Sequence, residues 1–117
     1  LARTTLDEYF HLSDLAGHDE ENFRKLIALF ADDATIIPNQ SGEIKGKESI
    51  ARFFNEFFKR NAEVHHVWHT TKKNNQLETK WAVSGRRETG EIFALSGKDI
   101  AKLNAASEIQ HLKVIVD

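Results

Sequence analysis

Cysteine and methionine are both absent from the 117 residues, and proline occurs once. Without cysteine there is no disulfide framework, no thiolate nucleophile and no thiolate metal site. A reducing compartment suits such a chain. Without methionine there is no initiator, and the natural start is expected to precede the first residue. Strong charge of either sign is missing too: a net charge of -2 gives nucleic acid or an anionic membrane no electrostatic reason to bind. No apolar run approaches the roughly 20 residues of a membrane span, and no basic, then apolar, leader opens the chain. A cytoplasmic protein with neither nucleic-acid nor membrane partners is expected.

What is present is an ordinary globular composition, 40% apolar and 29% charged with both signs mixed. A chain of this length suits one core and can bury about two-thirds of the surface it exposes when unfolded. No repeat, linker or low-complexity stretch divides it, so a single domain over residues 1–117 is expected.

The first sixty residues carry helical periodicity. Thr5-Leu-Asp-Glu8 has capping-box spacing and predicts a helix start, with Leu6, Tyr9, Phe10 and Ser13 on one face and Gly17 as the stop. Asp19 can cap a second helix in which Phe23, Leu26, Ile27 and Phe30 recur at i, i+3, i+4 and i+7. Ala34 to Ile37 reads as a short strand ended by Pro38, and Ser41-Gly42 as a turn. A third helix from Lys47 to Arg60 gathers Ile50, Phe53, Phe54, Phe57 and Phe58 on one stripe, which only downstream elements remain to cover.

From Glu63 the period becomes two. Val64, His66, Trp68 and Thr70 share one face, and His65, Val67, His69 and Thr71 the other. Asn74-Asn75 suits a hairpin turn, Leu77 to Arg86 alternates again, and Ile92 to Leu103 and Ile109 to Val116 complete the set. Helices first and sequential hairpins afterwards predict an α+β fold: three N-terminal helices packed in the concave face of a strongly curved antiparallel sheet.

Phe30-Ala-Asp-Asp-Ala-Thr35, the later Gly46 with Ile50-Ala-Arg-Phe-Phe54, and the strand stretch Gly97-Lys-Asp99 resemble the nuclear transport factor 2-like superfamily. Within it they are most similar to SnoaL-like proteins and ketosteroid isomerases. The resemblance implies a cone enclosing a largely apolar pocket, with acid–base groups placed differently in different members. A ketosteroid isomerase carries its carboxylate base just after the first strand, where this chain has Ile37-Pro38-Asn39, so steroid isomerisation by that mechanism is disfavoured. The oxyanion-donating tyrosine of those enzymes corresponds to Tyr9. An acidic residue on a late strand, as in the polyketide-cyclase branch, corresponds to Asp99. The histidine on the first long strand of scytalone dehydratase resembles the Val64-His65-His66 region.

Alternation places His66, Trp68 and Trp81 on the concave face, with Asp99 joining them if Leu95, Gly97 and Ala101 also point inward. His66 and Asp99 are the candidate catalytic pair, because a buried imidazole and a buried carboxyl have tunable proton affinities. The competing reading has them hydrogen-bonded to each other or to backbone as satisfied interior polar groups. Trp68, Trp81, Tyr9, Asn39 and Phe54 are the candidate ligand-binding residues. Core packing is the simpler explanation for the tryptophans, and a turn the simpler one for Asn39. His65 and His69 lie roughly 13 Å apart on a strand, too far for one ion, so neither a metal nor a cofactor is expected. Val67, Ala82, Ile100 and Ile115 lie on the convex face, where a copy of the chain is the expected partner. Two functions follow: a cone that binds a small apolar organic molecule and performs isomerase, cyclase or dehydratase chemistry, or a noncatalytic binding or dimerisation module filled by its own aromatics.

Overall fold

The computed structural model describes residues 3–117, and among them the chain forms three helices and six strands. Helix α1 (Thr5–Ala16) is capped by Thr4, one residue earlier than the sequence spacing predicts. Thr4 Oγ1 accepts the Asp7 amide at 3.1 Å, and Asp7 Oδ2 accepts the Thr4 amide at 3.0 Å. With the cap at Thr4, Asp7 rather than Glu8 stands three residues on and completes the box, and its other oxygen is used by strand β3 (Asn61–Lys73). Asp19 caps α2 (Glu20–Ala28) as expected, accepting from the Glu21 amide at 2.9 Å.

Phe30 is the clearest departure. It continues the helical period of α2, yet it opens β1 (Phe30–Ile37), four residues before the predicted strand start. Pairing with Ile109 on β6 (Ile109–Val116) decides the matter, and Ile109 donates its amide to the Leu29 carbonyl at 2.8 Å. Phe30 is fully buried either way; the apolar pattern foretold its burial but not its backbone. A bulge follows between Phe30 and Thr35, leaving Asp32 and Asp33 in solvent, where they meet Lys47 and Gln110.

Short β2 (Ile44–Lys45) pairs with β1, and α3 (Lys47–Arg60) starts at Gly46, whose φ of 88° needs a residue without Cβ. The long strands β3, β4 (Gln76–Arg87) and β5 (Ile92–Leu103) follow, and the sheet order is β2-β1-β6-β5-β4-β3. The expected antiparallel pairing holds between consecutive long strands. β1 and β6 run parallel instead, because the chain leaves β1 through α3 for the far edge and returns by hairpins to β1's side.

The sheet curls around the helices. Leu6, Phe10, Leu26, Phe30, Ile50 and Leu112 anchor the core between α1, α2, α3 and the inner sheet face. Register sets three rows across that face: Thr70–Thr79–Asp99–Val114, Trp68–Trp81–Gly97–Val116 and His66–Val83–Leu95. The alternation predicted for β3, β4 and β5 is therefore the observed one.

Candidate functional site

Helix α1 crosses the inner face against β3 and brings two carboxylates to it. Asp7, Phe10 and Asp14 lie at i, i+3 and i+7, one stripe of the helix. Asp7 Oδ1 accepts from Trp68 Nε1 at 3.1 Å and from Thr70 Oγ1 at 2.7 Å, while Thr70 and Thr79 share a hydroxyl hydrogen bond of 2.7 Å. Two helical turns span about 10 Å and four strand residues about 13 Å, so the second carboxylate falls beside His66.

There Asp14 Oδ1 accepts from His66 Nδ1 at 2.7 Å, and both Asp14 oxygens accept the His66 amide at 3.1 Å. A carboxylate offers no donor, so Nδ1 carries the proton and Nε2 is the nitrogen left to act. The imidazole is largely enclosed, with the Phe10 ring 5.4 Å and the Trp81 ring 6.3 Å away, both edge-on.

Asp99 sits one row past Trp81 and is only 2% exposed. Trp81 Nε1 donates to its Oδ1 at 2.9 Å. Burial raises the carboxyl to a pKa of about 7, against the opposing pull of that hydrogen bond, so it exchanges its proton near neutrality. Tyr9 reaches the same region from α1. Burial, and then the negative charge of ionised Asp99, push its phenol well above the usual range, and the hydroxyl stays neutral.

No fully buried side-chain nitrogen or oxygen among the described residues lacks a hydrogen-bond partner. Asp99 Oδ2 and the Tyr9 hydroxyl make no hydrogen bond with the described residues, whereas Asp99 Oδ1 is taken by Trp81. The neighbouring inner-face row ends in Leu95, which is 44% exposed although it points to the helix side. The inner face is thus open to solvent at the β5 end of that row, while Val83 and the His66 side chain at its other end are largely enclosed. Three surface depressions of about 470, 430 and 700 Å³ lie elsewhere, along α1–α3, beside β2 and at the start of α1, and none is lined by His66 or Asp99.

The structure brings His66, Asp99, Trp81 and Tyr9 into one region of the inner face. It does not join His66 to Asp99 by a hydrogen bond: their partners are the Asp14 carboxylate and the Trp81 indole. Trp68 is stacked on Phe10 at 5.8 Å and tied to Asp7, and Phe54 is packed against Tyr9 and Phe30 in the core. Asn39 is exposed in a positive-φ turn, where its side-chain oxygen accepts the Val116 amide at 3.0 Å and clamps the end of β6. Sequence reasoning missed Asp14 and Asp7; the signal was two acids seven apart on a helix face otherwise bound for the core.

A family model described as a SnoaL-like domain matches residues 8–109. An NTF2-like protein of unknown function from Exiguobacterium sp. 255-15 is 37% identical, with a TM-score of 0.88 over 97% of this chain and 98% of that one. A putative SnoaL-like polyketide cyclase from Jannaschia sp. CCS1 shares the fold at 12% identity, TM-score 0.81, over 97% and 83%. SalBIII, an epoxide hydrolase/cyclase-like enzyme of pyran ring formation in polyether salinomycin, shares it at 17% identity, TM-score 0.81, over 97% and 88%. No curated protein matches the chain by sequence. With most of its length under the family model and a close structural counterpart along nearly all of it, the chain belongs to the SnoaL-like domain family, on the NTF2-like fold.

Proposed function

We propose that the cone binds a small, mostly apolar organic molecule bearing a hydrogen-bonding oxygen, and that His66 and Asp99 carry out proton transfer on it. The observation that carries this reading is the pairing of an Asp14-oriented imidazole with a buried carboxyl that titrates near neutrality, on the two sides of Trp81. His66 Nε2 is the base, since Nδ1 is committed to Asp14. Protonated Asp99 and the Tyr9 hydroxyl are donors for the ligand's oxygen, in a low-dielectric setting where such hydrogen bonds are strong. Isomerisation, cyclisation and dehydration all use such a set. Cyclisation also figures in the names of two of the fold's neighbours, the putative SnoaL-like polyketide cyclase and the epoxide hydrolase/cyclase-like SalBIII.

Mass spectrometry of material co-purified from the native host, followed by binding and turnover with Asp99→Asn and His66→Ala, tests this. Loss of turnover in both is expected, and unchanged behaviour in both would sink the assignment. A second reading is favoured by the aromatic packing of Tyr9, Phe30 and Phe54 and of Phe10 with Trp68: a noncatalytic binding or dimerisation module with its interior largely filled. A ligand that binds without being converted would select it.

We also propose a cytoplasmic homodimer joined through the outer sheet face. Val67 is 70% exposed there, opposite exposed Ala82, and Ile92 is 73% exposed nearby, with His65, Ser84 and Ala94 forming the adjacent row. Apolar patches of this kind, rimmed by charge of both signs, support a self-complementary contact.

A further inference from the structure

We propose that Gly97 is a positioning residue: its missing side chain lets the Trp81 indole lie across β5 and hold the Asp99 carboxyl in place. Trp81 and Gly97 are directly opposite in the β4–β5 register, and both belong to the inner face. A Cβ on Gly97 would stand 2.8 Å from Trp81 Cζ2, an atom of the benzo ring of the indole. It would also stand 2.3 Å from the Ile115 carbonyl oxygen and 3.1 Å from Val116 Cα, both on the backbone of β6. That backbone is held from two sides: Val116 donates its amide to Asn39 Oδ1, and Asp117 donates its amide to the Ser96 carbonyl at 2.9 Å. The contact with the Ile115 carbonyl falls on this clamped backbone and forces β5 itself to shift, while the contact with Trp81 falls on a side chain, so the indole must move as well. Its nitrogen is the same one that donates to Asp99 Oδ1 at 2.9 Å, and its ring is the same one that borders His66. Gly97 therefore acts through Trp81 on both groups assigned to proton transfer; this rests on the function proposed above only in giving those groups a chemical role.

The test uses the ligand-free chain. The Trp81 indole N–H resonance and the ¹³C carboxyl titration of Asp99 are followed in the native protein, in Gly97→Ala, in Trp81→Phe and in the double variant. Trp81→Phe is expected to raise the Asp99 midpoint above about 7 by roughly one pH unit, since a donor to the ionised form is lost. Gly97→Ala is expected to shift the indole N–H and raise the midpoint in the same direction, and to add nothing further in the Trp81→Phe background. A folded Gly97→Ala with an unmoved indole and midpoint overturns the proposal, and so does an equal midpoint shift from Gly97→Ala when Trp81 is already gone. If Gly97→Ala does not fold, the double variant decides: recovery of a folded protein once the indole is gone supports the proposal, and continued failure to fold overturns it by placing the decisive clash on the Ile115 backbone. Failure of the proposed function would show instead as absent turnover with these couplings intact.

Discussion

His66 and Asp14 meet at 2.7 Å, Nδ1 to Oδ1, and the same carboxylate accepts the His66 amide through both oxygens at 3.1 Å. One aspartate on α1 thus closes an open backbone donor on the edge strand β3 and fixes the imidazole's tautomer. Asp14→Ala should destabilise the protein by about 1–3 kcal/mol, the range for stranding a buried donor beside a lost charged partner. Urea unfolding measures it. Nitrogen chemical shifts of His66 should show the Nδ1–H tautomer in the native protein and a mixture in the variant, and a single unchanged tautomer would show that Asp14 does not set it.

Asp99 predicts a pH dependence of stability. Its folded pKa of about 7 lies above the 3.8 of an unfolded aspartate, so the folded state binds the proton more tightly. The stabilisation is complete below about pH 4 and is lost progressively as the pH rises to about 7, on the order of 4 kcal/mol in all. Asp99→Asn should flatten urea midpoints between about pH 4.5 and 8. Parallel curves for the two proteins would refute the burial argument.

Asp7 predicts the opposite sign. Burial pushes its pKa up, but hydrogen bonds from the Thr4 amide, Thr70, the Thr4 hydroxyl and Trp68 outweigh that and leave it below the usual value. Its contribution is present above an unfolded aspartate's pKa and fades as the pH falls through the lower folded value. Asp7→Ala removes a cap and two cross-element hydrogen bonds together, and a loss of about 2–4 kcal/mol at pH 6 is expected from chemical denaturation. A loss below about 0.5 kcal/mol would mean that α1 is held by its apolar face alone.

The outer face predicts an assembly. Light scattering on the native protein should give a dimer, and Val67→Lys should give a monomer with an unchanged circular dichroism spectrum, because the substitution places a charge in the exposed apolar patch that the proposed contact would bury. A native monomer at high micromolar concentration would discard the dimer.

Much of the fold was legible because its signals are local. The phenylalanine stripe of α3 repeats at helical spacing, and the alternation from Glu63 onward groups His66, Trp68 and Trp81 on one face, while Asp99 joins them only through the β4–β5 register. The bounds of β5 and β6 follow from turn residues on either side. Phe30 shows the limit: periodicity gave its burial, while pairing with a strand almost eighty residues away made it sheet rather than helix.

By itself, then, the sequence determined the order of the elements, the alternation of the long strands and the presence of an imidazole on the inner face, since period and turn chemistry act within a few residues. Only the tertiary structure decided that the Asp99 carboxyl joins it there and who their partners are. Asp14 reaches His66 across 52 residues of chain, the second carboxylate on the same helix stripe reaches Trp68 and Thr70, and the indole of Trp81 reaches Asp99 over a glycine. Those contacts depend on how a helix lies across a curled sheet, and no spacing along the chain encodes that angle.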